Sequence, residues 1–418
     1  MKVLLVSVGT RGDMEPFLAI GELLKAQGHE VTCAFPEQFQ NLAEQSGLAF
    51  ASLGKKFIEL LTSEAGQAAM GGATGWKKAK GMLQLIFRQK EANQELLFRQ
   101  RDHHEATDPE IVLYSGKAVY PPLWKLKTGK KTIFINPVPY MHYSQGHAHM
   151  AFNGNYGAFL NRLTFALTDF GLAANILMSQ KWLRWKPRYS RRQILQEIRQ
   201  TPCIYTVSPT LHPQPADWPG HVKVLGHRER SLPSEWEPDE ALRAFIARHP
   251  KILFVTFGSM ANANPQKNTQ VLLDLLQHHQ IPAIINTADG GGLRPPAGFQ
   301  SQLVHFVRRI PYDWVFPQMH AVIHHGGSGT THMAVKCGCA SMAIPHILDQ
   351  FAWNDIQATL GVGPKGIKIN KLSLRTLEPR LLDLWNNPAY KQRAEQAAKQ
   401  MAQEDFTAEL LRVIAPET

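Results

Sequence analysis

The chain has 418 residues, enough for two domains of ordinary size, and 44% are hydrophobic, which excludes a mainly disordered polymer. A formal charge of +11 and a pI near 9.4 point to anionic company: nucleic acid, anionic lipid or a nucleotide-bearing substrate. No nucleic-acid motif accompanies the charge, and no stretch reaches the roughly 18 uncharged apolar residues of a membrane span.

From its start the chain reads as a doubly wound α/β domain. Residues 2–8 are apolar on both alternations, as a buried parallel strand requires. The run does not read as a signal peptide, because Gly9-Thr10-Arg11-Gly12-Asp13 ends it at once. Pro16 suits the first position of a helix with an apolar face at Phe17, Leu18, Ile20, Leu23 and Leu24. Gly28 closes that helix, and a second strand follows over 30–35. This opening lacks G-x-G-x-x-G, so no dinucleotide fingerprint is present where one would belong.

A long basic helix is expected over 76–101, with strands at 111–114 and 132–136. Residues 137–156 are rich in Pro, His, Tyr and Gly without periodicity and read as loop. A basic-aromatic cluster follows at 181–192. Strand 203–208 reads as the last of the first half, and Pro209, Pro213, Pro215 and Pro219 then crowd a semi-rigid linker. The expected division is an N-terminal domain over 1–208, a linker over 209–221 and a C-terminal domain over 222–418, whose last helices can pack back on the first domain.

The second half repeats the alternation. Strand 251–257 ends in Gly258-Ser259-Met260, and further strands are expected at 283–286, 303–307, 321–324 and 340–344 before terminal helices that include 390–401. Two parallel α/β domains would face each other across a cleft walled by strand carboxyl ends. Cys33, Cys203, Cys337 and Cys339 show no metal spacing and read as reduced cysteines of a cytoplasmic protein.

The most pronounced local signal is Ala321-Val322-Ile323 running into His324-His325-Gly326-Gly327-Ser328-Gly329 and then a helix start at Thr330. A strand, a glycine turn and the first amides of a helix make an anion site, because those N–H groups have no internal acceptor and the helix dipole is positive there. Phosphate or diphosphate is the natural occupant.

Several stretches, taken in order, resemble the bacterial and fungal GT1 glycosyltransferases of the sterol glucosyltransferase and antibiotic glycosyltransferase kind. They are Gly9 to Pro16, Phe257-Gly258-Ser259-Met260, Ile310 to Pro317, His324 to Thr331, Asp349-Gln350 and Gly361-Val362-Gly363-Pro364. The resemblance runs from residue 1 to about 380. It implies the GT-B fold, with a nucleotide-sugar donor held by the second half and an acceptor by the first.

On that resemblance Asp13 is the catalytic base that takes the proton of an acceptor hydroxyl. The residues by themselves equally allow a helix cap. Ser259, His325, Gly327, Ser328, Gly329 and Thr330 match the diphosphate-binding positions, with Ser259 also readable as a cap. Asp349 and Gln350 match a clamp on the sugar hydroxyls, although His346-Ile347-Leu348 and Phe351 to Asn354 depart from the usual pattern around them. Arg309, Ile310 and Trp314 match the base pocket; Trp314 also reads as core.

The implied reaction is inverting transfer of a hexose, glucose foremost, from a UDP-sugar to a hydroxyl of a hydrophobic acceptor, with no metal or other cofactor and no nucleic acid. Peripheral membrane contact is an expectation for the basic-aromatic segments around Trp76 and Trp182. Other NDP-sugars, NDP-sugar epimerisation and a binding module without turnover are the competing readings.

Overall fold

The computed structural model describes residues 1–62, 76–231, 236–258, 264–288 and 292–415. The chain divides into two compact units: one contains Met82–Leu232 with the beginning of the chain and Asp405–Thr418, the other is built on Pro233–Glu404.

The first unit is organised on seven parallel strands: β1 Lys2–Val6, β2 Glu30–Phe35, β3 Ala49–Ser52, β4 Ile111–Tyr114, β5 Lys131–Asn136, β6 Cys203–Tyr205 and β7 Val222–Val224. Their order is β3-β2-β1-β4-β5-β6-β7. Leu4, Leu5 and Val6 of β1 have no exposure, as expected of a strand covered on both faces. Helix α1, Arg11–Ala26, follows β1. It begins five residues before Pro16, which lies inside it rather than at its first position. Thr10 and Asp13 form a capping box that starts the helix earlier, and a proline in an early turn forgoes little hydrogen bonding.

The boundary expected between the halves moves. Val222–Val224 pairs in parallel with β6, Cys203 beside Val222, so it is the last strand of the first sheet and not the opening of the second. The proline-rich run 209–221 is thus a crossover within one unit, anchored by buried Leu211 and Trp218. Proline punctuation marks a connection but not which sheet receives the next strand. At the far end of the chain, helix α6, Thr407–Ile414, sets Leu410 and Ile414 into the same core as Val3, Leu5 and Phe17.

Segment 137–157 is packed rather than loose. Tyr140 stacks on His147 at 3.8 Å, Tyr205 Oη accepts from the His142 amide at 2.8 Å, and Trp218 Nε1 donates to Tyr143 O at 2.8 Å. Burial lowers His142, His149 and His212 each to about 4. Two helices follow: α2, Ala158–Trp182, and α3, Arg191–Gln200.

The second unit holds five parallel strands, β8 Leu253–Thr256, β9 Ala283–Asn286, β10 Val304–Val307, β11 Ala321–His324 and β12 Ala340–Ala343, in the order β10-β9-β8-β11-β12. Helix α4, Ser328–Lys336, follows β11, and α5, Asp349–Leu360, follows β12. Leu377, Leu381 and Leu384 of the helix Leu374–Asn386 close one face of its core.

Each strand order reverses once, between β1 and β4 in the first sheet and between β8 and β11 in the second. In open parallel sheets the helices leave in opposite directions at that point, which opens a crevice outside the strand carboxyl ends. The turns after β1 and β4, and those after β8 and β11, are therefore where ligand chemistry belongs. Among the described residues no helix is long and apolar enough to cross a membrane.

Candidate active site

Asp13 stands in the first turn of α1, just beyond β1, at the first of these reversals. Its Oδ2 accepts from the Thr10 amide at 2.7 Å and from Thr10 Oγ1 at 3.1 Å, so the capping role is realised. The other oxygen, Oδ1, lies 3.4 Å from Lys117 Nζ. With 29% of its side chain exposed, the carboxylate remains open to a reactant. Gly9 is required beside it: at φ +149° a Cβ would stand 2.2 Å from Asp13 Oδ2. Capping uses one carboxylate oxygen and leaves the second for chemistry.

Lys117 escaped the sequence reading. It follows β4 in a Ser115-Gly116-Lys117 turn, a glycine turn at a strand end like those after β1 and β11. Only the sheet order makes β4 the neighbour of β1 and brings Lys117 to Asp13.

In the second unit the turn after β11 has the geometry of an anion site. Gly327 is the N-cap of α4, in extended backbone, and no side chain caps the helix start. The first amides of α4 lack helical carbonyl partners by construction. His324, wholly buried, orients the turn: its Nε2 is 3.0 Å from Gln357 Oε1 and its Nδ1 accepts from the Gly326 amide at 3.1 Å. That pairing sets the tautomer, with the proton on Nε2, and burial lowers the group to about 4. Ser341 Oγ also donates to Gln357 Oε1 at 2.7 Å, which holds the amide in place.

His325 is the unusual member. Its Nδ1 is shut off from solvent and has no hydrogen-bond partner among the described residues. Burial first, and then the neighbouring His324 and His346, push its pKa well below the ordinary value, so it is a neutral imidazole. The glycine after next makes room for it: a Cβ on Gly327 would stand 2.4 Å from His325 Nε2. Ser328 Oγ lies 3.4 Å from His332 Nδ1, Gly329 is exposed, and Thr330 is buried. Ser259 lies outside the described residues.

The proposed sugar clamp is divided. Asp349 opens α5 and is partly exposed. Gln350 is buried, and its Oε1 accepts from the His346 amide at 2.7 Å and the Ile347 amide at 3.2 Å. Its oxygen is thus engaged in holding the 345–348 turn, and its NH2 group is what it can offer a ligand. His346, in the stretch that departs from the resemblance, packs its ring on Phe257 at 5.1 Å.

Of the three residues matched to the base pocket, Arg309 is exposed and lines a hollow of about 490 Å³ with Trp236 and Asp239. Trp314 is half-buried, its ring 4.9 Å from that of Trp236. Ile310 belongs to the core, 7% exposed among Phe254, Val315 and Phe316, so its side chain is not a pocket wall. An apolar residue beside a strand end reads the same whether it faces ligand or core.

The basic-aromatic cluster around Trp182 also divides. Trp185 is buried in the first unit's core and Trp182 packs against the same cluster, whereas the cations between and after them are exposed. The aromatic rings are structural and present no docking face. The side chains around Trp76 lie outside the described residues. Elsewhere, His278, His279 and Glu378 set three ligand-type atoms within 4.8 Å of one another, with His279 Nε2 in hydrogen-bond contact with Glu378 Oε1 at 2.8 Å.

Residues 3–103 match the Glycosyltransferase family 28 N-terminal domain, and residues 292–415 match the Erythromycin biosynthesis protein CIII-like, C-terminal domain. A sterol 3-beta-glucosyltransferase of Arabidopsis thaliana is 28% identical over 98% of this chain, which spans 64% of that relative's own length. Among solved structures, the glycotransferase of kitacinnamycin superposes with a TM-score of 0.71 at 17% identity over 99% of both chains. The glycosyltransferase VinC in complex with dTDP gives 0.66 at 17% identity over 100% of both. The fold is GT-B, and the chain is similar in its two halves to these two domain families and over nearly its whole length to sterol 3-beta-glucosyltransferases.

Proposed function

We propose that the chain is an inverting glycosyltransferase that moves a hexose, glucose foremost, from a UDP-sugar to a hydroxyl of a hydrophobic acceptor such as a sterol, lipid or natural product. The observation that carries this reading is the half-buried, neutral His325, its Nδ1 shut off from solvent, at the uncapped start of α4 on the strand reversal of the second sheet. A buried nitrogen without a partner is costly unless a ligand supplies one. A diphosphate does so for His325, for the α4 amides and for the Ser328 and Thr330 hydroxyls together.

The acceptor oxygen forms its bond to the anomeric carbon as the bond from that carbon to the diphosphate oxygen breaks. The electron pair leaves on the diphosphate, where the α4 turn meets the growing charge. The acceptor's proton passes to Asp13 Oδ1, the oxygen not held by Thr10. A single displacement inverts the anomeric centre. Asp349 and the Gln350 NH2 group hold sugar hydroxyls, and Arg309 and Trp314 hold the base.

The name of the plant relative supports both glucose and a sterol hydroxyl, and the dTDP complex of VinC keeps thymidine as the alternative nucleoside. A hydrophobic acceptor would be met at a lipid phase. No disulfide joins any of the four cysteines, which supports a reducing compartment such as the cytoplasm.

The test is Asp13→Asn, which keeps the shape of the cap while removing the base. Acceptor-dependent release of nucleoside diphosphate should fall about 10²- to 10⁴-fold. The rise in melting temperature caused by UDP-glucose should persist. Undiminished turnover in that variant would remove Asp13 from the chemistry.

A further inference from the structure

Helix α2, Ala158–Trp182, is apolar on both sides: its packed side buries Phe165, Ala173 and Ile176 together with the polar Asn161, Thr164, Ser179 and Gln180. These are satisfied internally: Asn161 Nδ2 donates to Asn155 Oδ1 at 2.8 Å, and Gln180 bonds both backbone polar groups of Tyr189 at 2.7 and 3.0 Å. The outward side carries Phe159 at 81% exposure, with Leu160, Leu163, Leu167, Phe170 and Met178 each between 45% and 51%. At roughly 100° per residue these side chains fall within about 120° of arc, one continuous apolar stripe. An uncovered stripe of this length on a water-facing helix marks a surface that meets another phase or partner.

Charge says which. Residues 151–200 contain Arg162, Lys181, Arg184, Lys186, Arg188, Arg191, Arg192 and Arg199 against Asp169 and Glu197. Eight cations less two acids is +6, more than half of the chain's +11, in one eighth of its length. The guanidinium of Arg191 lies 4.8 Å from the centre of the Phe170 ring, joining the charges to the edge of the stripe. Arg191, Arg192 and Arg199 line an open hollow of about 700 Å³ at the start of α3, capped by Ser190. Arg199 also pairs with Asp169 of α2 at 3.0 Å. A second copy of this surface would repel the first; an anionic bilayer satisfies the apolar stripe and the cations together.

We propose that α2 is an interfacial helix that lies in the headgroup region of an anionic phospholipid bilayer, with the α3 hollow taking lipid phosphates. The surface stands on its own observations, while its purpose, meeting a bilayer-dissolved acceptor, rests on the glycosyl-transfer reading. The site shares its cations with the 181–192 segment that the sequence suggested, but its apolar face is α2 rather than the tryptophans, and that follows from exposure that only the folded chain reveals.

The experiment uses the full chain with phosphatidylcholine vesicles, with and without phosphatidylglycerol, read by co-sedimentation. The wild type should sediment with the anionic vesicles, and neutral vesicles or added salt should weaken binding at least tenfold. A Phe159→Asp, Leu163→Asp, Leu167→Asp variant and an Arg191→Glu, Arg192→Glu variant should each lose at least tenfold in partitioning. Both should keep the wild-type melting temperature and its rise with UDP-glucose. Absence of wild-type binding to anionic vesicles overturns the proposal, and so do variants that bind unchanged. So does a concentration-dependent dimer, seen by light scattering, that the aspartate variant abolishes, because a second copy would then be the occupant. If UDP-glucose fails to raise the melting point while vesicle binding follows the expected pattern, the donor reading falls and the bilayer surface stands.

Discussion

Asp13 Oδ1 and Lys117 Nζ lie 3.4 Å apart, although 104 residues separate them, because β1 and β4 are neighbours at the strand reversal of the first sheet. Thr10 holds the opposite carboxylate oxygen, so the lysine fixes the orientation of the one proposed to take the proton. Lys117→Met should lower kcat roughly tenfold to a hundredfold, the scale of a small misplacement, with the KM for donor unchanged. Steady-state kinetics with Lys117→Arg as the restoring variant check this. A loss confined to donor KM would assign Lys117 elsewhere.

The room made for His325 gives a second prediction. Backbone at Gly327, φ −67° and ψ 146°, is a conformation alanine adopts freely, so Gly327→Ala carries no backbone strain. Its Cβ would nevertheless collide with His325 Nε2 at 2.4 Å. Donor affinity should weaken about tenfold to a hundredfold, the worth of one hydrogen bond to a charged group. Calorimetric titration with UDP measures it, and wild-type affinity would show that the imbedded ring has no part in holding diphosphate.

Acid should destabilise this protein early. His142, His149 and His212 in the first unit, and His324 and His346 in the second, are each lowered by burial to about 4 from 6.5. The unfolded chain therefore binds more protons between those values, so stability rises with pH through that window and is lost as pH falls. For one fully buried imidazole the loss at pH 5 is on the order of 2 kcal/mol. Melting temperature should be flat above pH 7 and fall by several degrees by pH 5. A scan with no fall above pH 5 would mean that these rings take protons while folded.

The end of the chain is structural for its beginning. Leu410, 3% exposed, packs in the core that contains Phe17 and Leu5, and Lys131 Nζ donates to Val413 O at 2.6 Å. Leu410→Ala should cost about 2–5 kcal/mol. Urea unfolding followed by tryptophan fluorescence gives the number. A change below about 0.5 kcal/mol would place α6 outside the cooperative unit.

Much of the site was legible because its signals are local. The β11 strand, the glycine turn and the start of α4 are contiguous, and their anion chemistry follows from backbone groups that no distant contact alters. Asp13 was legible for the same reason. Gln350 was legible as a polar residue but not in its role, since its oxygen is taken by the amides of His346 and Ile347 within one tight turn. The burial of Ile310 and of Trp185 was not legible for one reason: an apolar residue near a functional motif carries no mark of whether it faces ligand, water or core.

By itself the sequence determined the two parallel α/β halves, since period and punctuation are properties of neighbouring residues, and it determined the turns that end β1 and β11. Tertiary structure decided what depends on pairing between distant segments. It placed Val222–Val224 in the first sheet, α6 in the first core and Lys117 beside Asp13. It also left one apolar face of α2 outward while burying Phe165, Ala173 and Ile176 on the other, a choice that composition cannot express because either face supplies buried contacts. Strand order and helix orientation are set by the free energy of the whole packed unit, and that sum has no local signature.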